Sequence, residues 1–289
     1  SLVDVLFFSP TSLIASLATL WLSCRVSNAV FSRLVKAPVN SESTSITAFI
    51  LFLILPPATS LMGLGILAGT GAVAMASKYL IAIHKQHIFN PAAFSAVIIS
   101  LTTSTDAAWW VIHPWMLPAV IIVGALIVRK LRKASMVFVF IGVAGIVAGY
   151  WNLQYYDNIR AFAWQFISTW PLLFMGMVMF TEPTTTPPTK KLQRIYAGIV
   201  GTLFGTPLAW GPLSMTAELA LICGNIYSFL VSSRQRLVLH LSGKHEIARN
   251  TFEFSFTTQQ RLPFQPGQYL EWTLPHATPH SRGSRRFFT

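Results

Sequence analysis

Charge is scarce in this chain. Only 10% of its 289 residues are charged, and Asp and Glu together number 9. Soluble domains carry roughly 25%. Cysteine is nearly absent: Cys24 and Cys223 lie far apart in apolar stretches, and no Cys-x-x-Cys occurs. That removes a disulfide framework, a c-type haem attachment site and a cysteine metal site, and leaves two small buried hydrophobes. No basic face with interleaved aromatics occurs, so nucleic acid is excluded as a partner despite the formal charge of +12. No cleavable signal peptide is evident, and the chain begins at Ser1 and stops inside a motif at Thr289, so it reads as a fragment at both ends.

What remains is apolar. Hydrophobic residues make up 53% of the chain, and the mean hydropathy is +0.55. The long runs are Val5–Ser23, Ile46–Ala76, Pro91–Leu101, Pro114–Val128, Met136–Gly149, Ala161–Phe180, Ile195–Leu208 and Leu213–Val231. Pro56-Pro57 splits the second, so it is read as two short segments, one of them a candidate re-entrant half-helix. The total is about nine apolar segments. Cations gather in alternate connections: Arg25 to Lys36, Lys78 to His87, Arg129 to Lys133, Lys190 to Arg194, and Arg234 with Arg236. An even number of crossings between positive loops places all of them on the cytoplasmic side. Trp109, Trp110, Trp115, Trp151, Trp170 and Trp210 stand near segment ends, as an aromatic belt does. A lipid bilayer is therefore the first partner.

Past Arg234 the period changes. Arg236–Leu241, Thr251–Phe256 and Gly267–Leu274 alternate, the pattern of half-buried strands. The expected organisation is a polytopic α-helical membrane domain over 1–233, with some segments broken or re-entrant. The first strands of an antiparallel β-barrel follow over 234–289, on the cytoplasmic side.

The helical part is interrupted most sharply at Thr181-Glu182-Pro183-Thr184-Thr185-Thr186-Pro187-Pro188. Each proline removes a donor and restricts the residue before it, so no helix continues through. A carboxylate at the end of a membrane segment is costly and tends to be functional, and broken helices are tolerated where they line a site. Thr184, Thr185 and Thr186 offer hydroxyls to ribityl or phosphate oxygens, and Lys190 and Lys191 a neutralising charge. The alternative is a polar cytoplasmic loop with a solvated Glu182. Asn90-Pro91 is a similar break, or else simply an N-cap followed by proline at the first helical position. His84 and His87 read as cations of a loop rather than as a metal pair.

Two resemblances bear on function. Pro266-Gly267-Gln268-Tyr269, followed by Arg286-Phe287-Phe288-Thr289, resembles the flavin-binding barrel of the ferredoxin–NADP⁺ reductase superfamily, whose motif is Arg-x-Tyr-Ser/Thr. It implies FAD, with Arg286 on the pyrophosphate, Phe288 against the ring or ribityl chain, and Thr289 near the reactive nitrogen. Phe288 lacks the tyrosyl hydroxyl of the family. Asn40-Ser41-Glu42-Ser43, His87-Ile88-Phe89-Asn90-Pro91-Ala92-Ala93-Phe94 and Phe180-Thr181-Glu182-Pro183, with Tyr196-Ala197-Gly198 following, occur in that order. They resemble the family of membrane proteins shared by the Rnf electron-transport complex and the Na⁺-pumping NADH:quinone reductase. That likeness implies a helical domain of a bacterial cell membrane holding flavin, with coupled ion movement in some members. Asn90, Thr181, Glu182, Thr184 and Thr185 are then the membrane-side flavin candidates. The relatives' Ser-Gly-Ala-Thr motif for covalent FMN is absent, and Glu182 replaces their Asp; either FMN or riboflavin binds non-covalently, or the membrane domain uses another carrier.

The expectation is a membrane-bound flavin oxidoreductase. Electrons would pass from a cytoplasmic FAD, reduced by NAD(P)H or ferredoxin, to a membrane-embedded carrier, with quinone or partner redox proteins beyond. No metal site is expected. The alternatives are a transporter or channel with a regulatory flavin-type domain, and a non-redox assembly component.

Overall fold

The computed structural model describes residues 8–36, 41–83, 86–103, 105–156, 158–210, 213–232, 238–259, 270–273 and 285–288. The chain divides into two units, Ser1–Ser232 and Ser233–Thr289.

The first unit is helical. Its elements are α1 (Pro10–Leu34), α2 (Ser41–Ile54), α3 (Leu61–Leu80), the hairpin β1–β2 (Ala82–Ile83 and Gln86–His87) and α4 (Pro91–Thr102). Then come α5 (Leu117–Leu131), α6 (Ala134–Asn152), α7 (Ile159–Ser168), the short α8 (Leu172–Phe174) running into a π turn at Met175–Met179, and α9 (Lys190–Gly205). A second hairpin, β3–β4 (Ala209–Trp210 and Leu213–Ser214), leads into α10 (Ala217–Val231).

Most starts are set by side-chain caps, as orphan N–H groups at a helix N-terminus require. Ser9, Ser60, Asn90, Asn158, Thr189 and Thr216 each accept a hydrogen bond from the backbone N–H three residues on. Proline sits at the start of α1 and of α4, where its missing donor costs nothing.

Among the described residues, four stretches are long and apolar enough to cross a membrane: Pro10–Leu34, Leu61–Leu80, Pro114–Leu131 and Ala134–Tyr155. A fifth forms if α7 and the α8–π segment, bent by 58° at Thr169–Pro171, count as one span. α2, α4 and α10 are apolar but shorter. The outer faces carry large exposed apolar side chains, such as Ile14 at 69% and Ile146 at 75%. Water would penalise that surface and hydrocarbon would not.

Several boundaries differ from the sequence reading. α1 runs through Arg25 and Arg33, residues expected in a loop, because nothing after Ser23 breaks a helix; Arg25 lies over the Trp21 ring at 4.8 Å. Ile46–Ala76 is two helices parted at Pro56-Pro57, as expected. Ala161–Phe180 is two bent pieces rather than one run. Trp109 is buried rather than belt-like, and its indole N–H donates to Glu218 at 2.7 Å.

The element order repeats within this unit. A long helix, a broken stretch, a second long helix, a hairpin of two-residue strands and a short capped helix occur twice, once in α1–α4 and again in α6–α10. α1 packs on α3, and α6 packs on α9.

Among its described residues the second unit holds two antiparallel strand pairs. β5 (His240–Ala248) pairs with β6 (Thr251–Thr257) across a turn where Asn250 adopts φ 61°, the left-handed region that Asn tolerates. Of the expected strand Arg236–Leu241, residues 236 and 237 lie outside the described residues and 238 and 239 are not in a strand; β5 begins at His240, and its register shifts twice, between Leu241 and Gly243 and between Glu246 and Ala248. Such bulges blur the alternation a sequence shows. β7 (Leu270–Thr273) pairs with β8 (Arg285–Phe288).

Packing of α9 on α10 is tight at Gly224. A Cβ there would lie 2.2 Å from Val200 Cγ2 and 2.7 Å from Tyr196 Cε2. Gly224→Ala is expected to destabilise the helical unit by about 1–3 kcal/mol through overpacking. Gly142→Ala, which meets nothing within 4 Å, should be neutral or stabilising. Thermal unfolding of the detergent-solubilised protein measures both.

Candidate functional site

The site is built where the π turn ends. Phe180 N–H donates to Met175 O at 2.8 Å, closing the wide turn, and the Thr181 hydroxyl donates back to Met177 O at 2.9 Å. Pro183, Pro187 and Pro188 prevent resumption until Thr189 caps α9. π turns inside helices are frequent at functional sites.

Glu182 leaves this break and is gripped from distant segments. His87, at the end of β2, lies 3.0 Å from Oε1 through its Nε2. Asn90 donates from Nδ2 to Oε2 at 2.9 Å. The Thr185 hydroxyl donates to Oε2 at 3.3 Å. The Thr184 hydroxyl lies 2.9 Å from His87 Nε2. An ionised carboxylate only accepts, so the hydrogen between His87 and Glu182 belongs to the imidazole. The two side chains keep little exposure, 14% for His87 and 22% for Glu182.

Asn90 carries the network onward. Its Oδ1 accepts from Ala93 N–H at 3.0 Å as the cap of α4, and its own N–H donates to Asn225 Oδ1 of α10 at 2.8 Å. Asn225 Nδ2 donates to the Tyr196 hydroxyl of α9 at 3.1 Å. Tyr196 stacks on Phe180 with ring centroids 4.7 Å apart and planes within 3°. Five chain segments thus meet around one carboxylate: β2, the start of α4, the break, α9 and α10.

Charge surrounds it. Burial pushes the Glu182 carboxyl up. The charge and hydrogen bond of His87, the charge of Lys78 and the Thr184 hydroxyl outweigh that, and hold it below the ordinary 4.5. Lys133, between α5 and α6, donates to the Thr186 hydroxyl. Burial pushes its ammonium from 10.5 down to about 8, against the pull of Glu182. Among the described residues no cluster of three or more His, Cys, Asp or Glu exists to hold a metal.

The expected membrane-side residues Asn90, Thr181, Glu182, Thr184 and Thr185 therefore do come together. Asn90 is both an N-cap and a ligand of Glu182, so its two readings hold at once. Glu182 is not a solvated loop residue. Its hydroxyl neighbours are directed inward: Thr181 to the helix, Thr185 to Glu182, and Thr186 to Glu182 O at 3.1 Å. Lys190 and Lys191, expected to supply charge, are exposed on the first turn of α9; Lys78 and Lys133 supply it instead. His87, Lys133, Tyr196 and Asn225 were missed as site residues. The signal for His87 was its place three residues before Asn90, whose bond to Glu182 brings both to the break. In the second unit Arg286 and Phe288 lie in β8, paired with Trp272 and Leu270. Thr289 lies outside the described residues.

No family model matches the chain, and no curated protein matches it. The functional reading rests on its residues and their geometry.

Glu182→Gln removes an acceptor of charge-assisted bonds and is expected to cost about 1.5–3 kcal/mol at pH 7. A carboxyl lowered on folding stabilises the fold above its unfolded value of 4.5 and loses that contribution as pH falls through the lower folded value. The gap between wild type and Glu182→Gln in thermal unfolding should therefore be constant from pH 7 down to about 5, and shrink below 4.5.

Proposed function

We propose that the chain belongs to a membrane-bound flavin oxidoreductase. FAD on the second unit accepts electrons from NAD(P)H or ferredoxin and passes them singly to a carrier at the Glu182 break. FAD suits this task because it converts a two-electron donor into one-electron steps.

The observation that carries the reading is the pairing of β7 with β8. Leu270, which directly follows Gly267-Gln268-Tyr269, is the register partner of Phe288, and Trp272 of Arg286. The strand that follows the first motif in sequence thus pairs with the strand that carries Arg286 and Phe288 of the second; residues 266–269 themselves lie outside the described residues. Arg286 would hold the pyrophosphate by a bidentate guanidinium contact, with Phe288 and Thr289 near the ring. On the membrane side, Asn90, Glu182, Thr184 and Thr185 would hold FMN or riboflavin non-covalently. The positive connections Lys78 to His87, Arg129 to Lys133 and Lys190 to Arg194 support a cytoplasmic placement of the break and of the second unit. About nine apolar segments, the short α2, α4 and α10 included, would line the bilayer path.

A second reading, ion or solute transport, is favoured by the twice-repeated element order and the broken helices, which secondary transporters use. Glu182→Gln with unchanged ion uptake into vesicles removes that role.

The purified protein is expected to be yellow. Arg286→Ala should weaken FAD retention by roughly tenfold or more, as loss of a charge-assisted phosphate contact does. Visible absorption during gel filtration reads this directly. A folded but colourless wild-type protein contradicts the proposal.

A further inference from the structure

The break holds more positive than negative charge. His87 Nε2 meets Glu182 Oε1 at 3.0 Å, and among the described residues Lys78 and Lys133 have no carboxylate within salt-bridge distance. Lys78 Nζ donates to Ser43 O and Ser43 Oγ, both at 3.1 Å. Lys133 is 8% exposed, and its ammonium, with three N–H groups, meets a single described partner, the neutral Thr186 hydroxyl. A buried cation with unused donors and no carboxylate in direct contact calls for an anion. Glu182 does not serve, because its two oxygens are taken by His87, Asn90 and Thr185.

Lys133 is placed for such a role. It sits in the turn between α5 and α6, where Arg132 takes φ 55° and reverses the chain. Its N–H donates to Val128 O at 3.1 Å, and its carbonyl accepts from Met136 and Val137 N–H, both at 3.1 Å. The backbone is thus pinned at both sides while the side chain reaches Thr186 in the break. Thr186 is itself buried, and its hydroxyl faces Glu182 O and Pro183 O.

We propose that Lys133 and Thr186 form an anion site for a phosphate monoester, with Lys78, whose charge also acts on Glu182, adding its field. An ammonium acts on phosphate as a point charge with several donors, and the Thr186 hydroxyl would add a directed bond by turning its one hydrogen from Glu182 O to the anion. This deepens the flavin reading and partly rests on it: the membrane-side flavin would be the phosphorylated one, FMN rather than riboflavin. The same chemistry is offered by a phosphomonoester lipid headgroup at the membrane surface.

The test is thermal unfolding of the whole protein in phosphatidylcholine nanodiscs at pH 7. Inorganic phosphate is compared with chloride at equal ionic strength. Phosphate is expected to raise the midpoint by about 2–4 °C over chloride. Lys133→Gln and Thr186→Val should each abolish that rise, and Lys133→Arg should keep part of it. If the ester comes from a flavin, FMN gives the rise at lower concentration than phosphate while riboflavin does not. If it comes from lipid, phosphatidic acid in the nanodisc gives the rise without added phosphate. A wild-type protein that responds alike to phosphate and chloride overturns the site, as does an undiminished response in both Lys133→Gln and Thr186→Val. A protein that responds to phosphate but binds no flavin upholds the site and defeats the flavin reading.

Discussion

A carboxylate placed where a membrane segment ends must be matched or neutralised. Desolvating an ion costs several kcal/mol, and only well-placed partners offset it. In this chain the requirement falls on Glu182, and the surrounding fold answers it. Its partners come from β2 and from the residue just before α4, each more than ninety positions earlier in the chain. Neither can reach Glu182 unless the β1–β2 hairpin and α4 are in place. The polar contact therefore specifies a tertiary arrangement that apolar packing alone would leave loosely defined. Helices in hydrocarbon have no hydrophobic drive toward each other, which makes small contacts such as Gly224 on Tyr196 and a satisfied polar network the available means of registration.

The same contact gives the site its chemical character. Backbone freed by Pro183, Pro187 and Pro188 is held by threonine hydroxyls, not left to lipid. The aromatic pair Phe180 and Tyr196 closes one side, with Tyr196 tied through Asn225 to Asn90. A carboxylate, an imidazole and two lysines share one electrostatic neighbourhood, a setting in which proton affinities are perturbed. The repeated order of helix, break, helix, hairpin and short helix places an analogous break at Pro56-Pro57 in the first half. There the backbone is met by Trp109 N–H on Ile54 O at 2.9 Å, and the Trp109 indole reaches Glu218. Both acidic side chains, Glu182 at the break and Glu218 at the start of α10, belong to the second half, and the Trp109 indole ties Glu218 to the break of the first.

Much of this was legible from local chemistry. Prolines announced both breaks, and Asn90-Pro91 announced the start of α4, because caps and proline positions depend on neighbouring residues only. The grouping of Asn90 with Thr181–Thr185 was legible through the family resemblance. What the sequence hid was long-range or permissive. His87 and Lys133 looked like ordinary cations of connections, since nothing local marks a contact spanning 95 or 53 positions. α1 ran past its apolar stretch because arginine is a good helix former and its long side chain can lie along the surface. β5 was displaced from the expected strand because two bulges interrupt its alternation.

The central claim is that Glu182 and Asn90 act as one unit holding the break to α4. A double-mutant cycle of Glu182→Gln and Asn90→Ser measures it directly, since serine keeps the helix cap but lacks the amide donor. Unfolding free energies of the four proteins in one detergent should show a coupling of about 1 kcal/mol or more between the two sites. Additive effects, to within about 0.3 kcal/mol, would contradict the account.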